Sequence, residues 1–141
     1  MTNDEQRQRN LAAVRAGIEG WGSGTSSPFP LLAEDATWEI TGNSEAAGIY
    51  SSRAELMTRV IVPLATRMAT PLIPVIRALY SDGDTVIALF DAEGMARDGR
   101  PYRNTYAWFL QFSGDRIVKG TAFYDSIAFN DLWRRVTPML D

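Results

Sequence analysis

Four long segments in the second half of the chain alternate apolar and polar residues, and this pattern restricts the fold more than any other feature. The segments cover residues 72–80, 85–95, 102–112 and 116–124. A period of two is typical of β-strands with one buried face. The dipeptides between the segments are Asp82-Gly83, Asp98-Gly99 and Gly114-Asp115. Each dipeptide favours a two-residue hairpin turn, so the pattern predicts an antiparallel meander of four strands.

Helical patterns occupy the first half of the chain and its C-terminal end. We predict helices over residues 3–19 and about 53–70, a final helix after residue 125, and a short strand over 36–41. Ser52 and Glu55 have the spacing of a capping box, and Pro63 predicts a kink in the helix that follows. Helices and strands are segregated, which predicts one α+β domain over residues 1–141 with a curved antiparallel sheet wrapped on helices.

The composition excludes several classes of function. The chain has no histidine and no cysteine, so imidazole and thiolate chemistry are excluded and we expect no metal or other cofactor. A net charge of −3 without a basic stripe gives no support for nucleic-acid binding. The polar N-terminus and the lack of an apolar run of about 18 residues predict a cytoplasmic protein without a membrane partner.

Strand register determines which side chains share a face of the meander. Two-residue turns place Asp91 opposite Tyr106, and Asn104 opposite Asp125. The face that results carries Leu89, Asp91, Glu93, Asn104, Tyr106, Trp108, Thr121, Phe123 and Asp125. Carboxylates among aromatic side chains suit general acid–base chemistry, because apolar surroundings raise a carboxylate pKa toward neutrality. A bulge at Gly94 would place Asp91 in solvent instead.

The opposite face of the predicted meander mixes apolar and polar residues: Arg103, Thr105, Phe109, Gln111, Val118 and Tyr124. The predicted helices do not cover this face. We therefore expect a homodimer in which the second subunit covers it.

Five short motifs carry a resemblance to a known family. They are Trp38-Glu39-Ile40-Thr41-Gly42, Gly48-Ile49-Tyr50, the stretch from Tyr102 to Trp108, Arg116-Ile117-Val118 and Phe123-Tyr124-Asp125. These motifs resemble those of SnoaL-like proteins of the nuclear transport factor 2-like superfamily. The resemblance covers about residues 10–136. It implies a cone-shaped fold with a pocket on the concave face of the sheet, usually in a dimer formed through the sheet.

The superfamily includes ketosteroid isomerases, polyketide cyclases, limonene epoxide hydrolases and proteins without known activity. In the cyclases and epoxide hydrolases an aspartate at the end of the last strand acts as acid or base, and Asp125 falls at that position. The pocket histidine of the cyclases and the arginine of the epoxide hydrolases have no counterpart here. The resemblance therefore implies a fold and a pocket, and leaves the reaction open.

Two classes of function follow from this combination of residues. In the first, a cofactor-independent isomerase, cyclase or hydrolase acts on an apolar small molecule, with Asp125 and Asp91 as catalytic residues. The predicted ligand-binding residues are Trp38, Tyr50, Asn104, Tyr106, Trp108 and Phe123. In the second, the same scaffold is a non-catalytic ligand-binding or dimerisation module. Asp125 also directly precedes the final helix, where an aspartate can simply cap the helix.

Overall fold

The computed structural model describes residues 2–139, and its elements follow the predicted order of helices and strands. The first half contains helix α1 (Asn3–Ser23), a 3₁₀ turn (Phe29–Leu31), strand β1 (Leu32–Ile40), strand β2 (Gly48–Tyr50), helix α2 (Arg53–Leu56), a π-helical stretch (Met57–Ile61) and helix α3 (Val62–Ala65). The second half contains strands β3 (Ile73–Asp82), β4 (Thr85–Met95), β5 (Pro101–Ser113) and β6 (Arg116–Tyr124) and helix α4 (Ser126–Arg135). The helices and the sheet form a single α+β fold.

Helices α2 and α3 and the π-helical stretch between them form one continuous helix, which we name the composite helix (residues 53–65). Ser52 caps its start, because the Ser52 hydroxyl accepts a hydrogen bond from the Glu55 N–H at 3.0 Å. The predicted disturbance around Pro63 takes the form of the π-helical stretch, which ends with the Val62 N–H donating to the Met57 carbonyl. Proline has no N–H to continue an α-helical ladder, so a change of helix geometry directly before it is expected.

One six-stranded sheet, in the order β2-β1-β6-β5-β4-β3, forms the other layer. The predicted meander is confirmed, because β3, β4, β5 and β6 are sequential antiparallel neighbours. The sheet as a whole is mixed, because β1, outside the meander, pairs with β6 in parallel. The two strands are far apart in the sequence, and β2, the composite helix and strands β3 to β5 lie between them.

The predicted register between β4 and β5 is wrong by one residue. The loop has three residues (97–99) rather than two: the Gly99 N–H donates to the Ala96 carbonyl, and Gly99 adopts a φ of 85°. This arrangement is a type I turn followed by a left-handed residue, the usual form of a three-residue hairpin. Because side chains alternate between faces, the added residue places Asp91 and Glu93 on the convex face, where they pair with Thr105 and Arg103.

The register between β5 and β6 also differs from the prediction by one residue over part of the pair. The two-residue turn at Gly114-Asp115 is as predicted, since Ser113 lies opposite Arg116. Between that turn and the middle of the strand the register shifts at a bulge, after which Tyr106 lies opposite Tyr124. The bulge therefore turns Tyr124 to the concave face and Phe123 to the convex face, the reverse of the prediction.

The concave face of the sheet and the helices enclose the core. Helix α1 packs on β3 and β4, the start of the composite helix packs on β1, and α4 packs on β5. The inward residues Val86, Ala88, Phe90 and Ala92 of β4 are all at most 2% exposed. Within residues 2–139, none of the helices combines the length and hydropathy that a membrane crossing requires.

Candidate functional site

A cavity of about 440 Å³ lies between the concave face of the sheet and the helices. This volume falls in the range of small-molecule binding pockets. Its wall consists of uncharged side chains: Trp21, Ser27, Phe29, Trp38, Ile40, Leu56, Met57, Val60, Ile61, Leu64, Ala65, Met68, Ala69, Thr70, Pro71, Leu72, Tyr106, Trp108, Ala122, Tyr124 and Phe129. The wall is therefore suited to an apolar ligand.

The cavity has an open side and a closed side. Small, solvent-exposed residues border the open side, among them Ala65 at the end of the composite helix and Ala69 and Thr70 in the segment that follows it. Ile40 and Ala122, which are at most 3% exposed, belong to the closed side formed by the sheet. A ligand would enter past the composite helix and rest on the sheet.

Trp108 is the centre of the aromatic part of the wall. Its ring centroid lies 5.3 Å from that of Trp38 and 4.8 Å from that of Phe90, both in edge-to-face geometry. Trp21 and Phe29 also contact the ring, at 6.2 and 5.8 Å between centroids. These separations are those of attractive aromatic pairs, so the cluster holds the shape of the wall.

A chain of hydrogen bonds leads from the start of α4 to the cavity. The Asn104 amide nitrogen donates to the Asp125 carbonyl at 3.0 Å and to the Tyr102 hydroxyl at 2.8 Å. The hydroxyls of Tyr102 and Tyr106 lie 2.7 Å apart, and Tyr106 lines the cavity whereas Tyr102 does not. Tyr106 is thus the end of the chain that a ligand can reach.

Burial raises the pKa values of both phenols in this series of hydrogen bonds. It raises the pKa of Tyr102 to about 12, and the hydrogen bonds from Tyr106 and Asn104 offset part of this effect. Burial also raises the pKa of Tyr106 well above its usual value of 10.0. At neutral pH these hydroxyls donate and accept hydrogen bonds but carry no charge.

The raised phenol pKa values predict a loss of stability in alkaline solution. An unfolded tyrosine ionises near pH 10, whereas Tyr102 in the fold has a pKa of about 12. The stabilisation by the neutral phenol is fully present below pH 10 and is lost as the pH rises toward 12. For Tyr102 alone we expect a loss of about 2 kcal/mol in the free energy of unfolding by pH 11.5.

Urea unfolding from pH 7 to 11.5 measures this loss. Tyr102→Phe should flatten the alkaline decline, because it removes a phenol whose pKa is raised by burial. An equally steep decline for Tyr102→Phe and the parent protein would contradict the assignment to Tyr102.

The predicted ligand-binding residues fall into three groups. Trp38, Tyr106 and Trp108 line the cavity. Asn104 and Tyr50 are both buried, but neither residue borders the cavity. The Tyr50 hydroxyl instead donates to the Ala46 carbonyl at 2.7 Å. The predicted inward position of Phe123 is wrong, because this side chain is 53% exposed on the convex face.

The predicted inward positions of the carboxylates are also wrong. Asp91 lies on the convex face, where its carboxylate accepts a hydrogen bond from the Thr105 hydroxyl at 2.6 Å and lies 3.8 Å from Arg77. Asp125 is exposed, and its carboxylate accepts from the Ile127 N–H at 2.9 Å and the Ala128 N–H at 3.4 Å. The observed position of Asp125 is therefore that of the N-cap of α4.

The cap at Asp125 predicts a specific difference between two substitutions. Asp125→Ala should lower the free energy of unfolding by about 1 kcal/mol, because two N–H groups of α4 lose their acceptor. Asp125→Asn should cost only a few tenths of that, since asparagine caps helices as well as aspartate. Chemical denaturation of both variants measures the difference, and equal stability of Asp125→Ala and the parent would contradict the cap.

Several wall residues were not predicted from the sequence. Trp21 and Phe129 belong to helices, where periodicity indicates a buried face but not a cavity. Tyr124 was assigned to the outer face, and the bulge in β6 accounts for that error. The composite helix contributes Leu56, Val60 and Leu64 to the wall, and Met68 follows the end of this helix. The spacing of these four residues in the sequence is that of one apolar helical stripe.

Comparisons with solved structures agree with this architecture. Bal32a, from a soil-derived mobile gene cassette, is 21% identical, with a TM-score of 0.77 over 92% of this chain and 99% of its own. An NTF2-like protein from Burkholderia thailandensis is 20% identical, with a TM-score of 0.71 over 87% of this chain and 96% of its own. TerC, crystallised with polyporic acid, is 16% identical, with a TM-score of 0.70 over 89% of this chain and 98% of its own.

These identities are low, so the structural matches establish the fold, which is NTF2-like. Among curated protein sequences, none matches the chain significantly. The family model described as SnoaL-like domain matches residues 14–120, a region that extends from α1 into β6 and includes most of the cavity wall. On this match and this fold, the chain belongs to the SnoaL-like domain family.

Proposed function

We propose that this protein binds a small apolar molecule in the cavity between the sheet and the composite helix. The observation that carries the proposal is the enclosed volume of about 440 Å³ with a wall free of charged side chains. Apolar surface that leaves water contributes about 25 cal/mol per Å², and aromatic and aliphatic walls supply most of that contact. TerC, which shares the fold, was crystallised with a small molecule, polyporic acid.

Tyr106 supplies a polar anchor for such a ligand. Tyr102 accepts a hydrogen bond from Asn104, and a single proton then lies between the Tyr102 and Tyr106 oxygens. Whichever phenol donates that proton, the proton of the other phenol needs a further acceptor, because unpaired buried donors are costly. Since Tyr106 borders the cavity and Tyr102 does not, we infer that Tyr106 donates to an oxygen or nitrogen of the ligand.

Catalysis on the bound molecule is the second candidate function. The family resemblance implies an isomerase, cyclase or hydrolase, and the hydrogen-bond chain favours one role in such a reaction. Tyr106 could polarise a carbonyl of the substrate, with Asn104 and Tyr102 holding its hydroxyl in position. Asp125 and Asp91 stay predictions as catalytic residues, and loss of turnover in Asp125→Asn would support that role for Asp125.

A fluorescence titration with N-phenyl-1-naphthylamine, a neutral apolar probe, tests the binding proposal. The matched variants are Ala122→Leu, which fills the closed side of the cavity, and Ala12→Leu, which adds the same atoms at an exposed position of α1. We expect Ala122→Leu to weaken probe binding about tenfold or more, because the added carbons occupy the ligand volume. Ala12→Leu should bind the probe as the parent does.

Thermal unfolding of both variants controls for damage to the fold. A parent protein that does not bind the probe would contradict the proposal. Equal affinity of Ala122→Leu and the parent would also contradict it, because the probe would then occupy another surface.

We further propose that the convex face of the sheet forms a homodimer. Of the ten large hydrophobic side chains exposed among residues 2–139, seven are on this face: Ile49, Ile73, Val75, Tyr80, Met95, Phe109 and Phe123. Arg103 and Glu93 form an ion pair beside them at 2.6 Å. An apolar centre with charged groups around it is the usual composition of a subunit interface, which buries about 1,600 Å² in total.

The dimer predicts a large effect of a charge placed within its interface. At tens of micromolar, an order of magnitude chosen for weak pairs, we expect sedimentation velocity to show a dimer. Phe109→Glu should raise the dissociation constant about 100-fold or more, because the carboxylate would be buried against apolar side chains. Ile127→Glu, at the 82% exposed Ile127 of α4, should leave the dimer intact. A monomeric parent protein would refute the interface.

A further inference from the structure

We propose that Gly120 sets the size of ligand that the cavity accepts, through the position of the Trp38 ring. This inference rests on the proposed ligand-binding function. Trp38 and Gly120 are register partners on the parallel strands β1 and β6. The Trp38 ring lines the cavity, and Gly120 lies behind it in the sheet.

The contact between the two residues leaves no room for a side chain at position 120. A Cβ atom built on Gly120 would lie 2.3 Å from Cε3 and 2.4 Å from Cζ3 of the Trp38 ring. An ordinary van der Waals contact begins at 3.4 Å, so the ring would have to retreat by about 1 Å. Gly120 is absent from the glycines with positive φ, so the requirement for glycine is one of space and not of backbone conformation.

The surroundings of Trp38 determine the direction of that retreat. On one side its ring meets Trp108 edge to face at 5.3 Å between centroids. Trp108 itself is fixed by Trp21, Phe29 and Phe90, so it offers little space. The cavity is the empty volume that the Trp38 ring borders. A side chain at position 120 would therefore move the ring into the ligand volume.

Gly120 is in this sense a positioning residue: it contacts Trp38 and not the ligand. The next inward residue of β6, Ala122, lines the cavity directly. Gly120 has no side chain and Ala122 has only a methyl group, and both lie where β6 passes under the cavity. Larger residues there would leave a smaller cavity on the same fold, so these positions control ligand size.

Two neutral probes that differ by one ring test the proposal. N-phenyl-1-naphthylamine is the larger, and 1-naphthylamine lacks its phenyl group. We expect Gly120→Ala to weaken binding of the larger probe about tenfold, with the affinity for the smaller probe within about threefold of the parent value. A merely structural role of Gly120 would weaken both probes equally.

A second variant provides the rescue. Phenylalanine at position 38 lacks the fused ring to which Cε3 and Cζ3 belong, so Trp38→Phe makes room for the new Cβ atom. The double variant Trp38→Phe with Gly120→Ala should bind the larger probe within about threefold of Trp38→Phe alone. If Gly120→Ala alone does not fold, the double variant must fold and bind as Trp38→Phe does.

Equal losses for both probes, no loss for either, or failure of the rescue would overturn the role of Gly120. These outcomes differ from failure of the proposed function, which would appear as a parent protein that binds neither probe.

Discussion

Replacement of Arg67 by methionine should lower the free energy of unfolding by about 3 kcal/mol, because Arg67 joins the ends of two helices from inside the protein. The residue is 5% exposed. Its guanidinium donates to the Val136 carbonyl at 2.8 Å, the Pro63 carbonyl at 3.0 Å and the Trp133 carbonyl at 3.3 Å. These carbonyls belong to the C-terminal ends of α4 and the composite helix, where a positive charge is favourable.

The guanidinium also stacks on the Trp133 ring, with its central carbon 3.7 Å from the ring centroid. Burial lowers the pKa of Arg67, and the nearby Arg97 lowers it further. Among residues 2–139, carbonyl oxygens and the aromatic ring take the place of a carboxylate partner. Methionine keeps the apolar volume but leaves buried carbonyls without donors, and this accounts for the expected loss.

Chemical denaturation of three variants tests this role. Arg67→Lys should lie between the parent and Arg67→Met, because one ammonium group cannot reach three carbonyls. Arg59→Met is the matched control, since Arg59 is exposed; it pairs with Glu55 one helical turn earlier at 3.2 Å, and its guanidinium lies 5.4 Å from the centroid of the Tyr50 ring. It should change the stability by less than about 1 kcal/mol. Equal effects of Arg67→Met and Arg59→Met would contradict the role of Arg67.

Trp108→Ala should destabilise the protein by about 3–5 kcal/mol, the usual cost of removing a buried tryptophan. The ring is 5% exposed and contacts the rings of Trp21, Phe29, Trp38 and Phe90. Trp108→Phe should recover part of the loss, because it keeps an aromatic ring within the cluster. The same measurement on Ile127→Ala, at the 82% exposed Ile127 of α4, should show less than about 1 kcal/mol.

The expectation for Trp108 differs from one based on the cavity wall alone. A residue that only lined the cavity would weaken ligand binding when truncated and leave the fold intact. Because four other aromatic rings rest on Trp108, its truncation removes both a wall and a centre of packing. Normal stability of Trp108→Ala together with weak probe binding would contradict this view of the aromatic cluster.

The sequence predicted the strands of the sheet but not all of their faces. Alternation and turn dipeptides located β3 to β6 because both are local properties of the chain. The side of the sheet to which Asp91 points depends on the length of the loop that contains Asp98-Gly99. This dipeptide suits both a two-residue and a three-residue loop. One residue in that loop decides whether the carboxylate meets the cavity or the solvent.

The parallel pairing of β1 with β6 could not be predicted from alternation or turn dipeptides, because these patterns concern neighbouring residues only. It joins Trp38 to Gly120, which are far apart in the sequence, and no turn connects the two strands. The role of Gly120 follows from that pairing alone, because a glycine in a strand has many explanations until its neighbour is known. Trp21 shows the same limit, since a helical stripe does not reveal which ring borders an empty volume.

The most direct test of ligand binding in the cavity is an NMR experiment on methionine methyl groups. Met57 and Met68 line the cavity, whereas Met95 is exposed on β4 and does not. With ¹³C-labelled methionine methyl groups and saturating N-phenyl-1-naphthylamine, we predict nuclear Overhauser effects between the probe and the methyl groups of Met57 and Met68. Contacts of the probe with the Met95 methyl group, without contacts to Met57 and Met68, would contradict the proposed site.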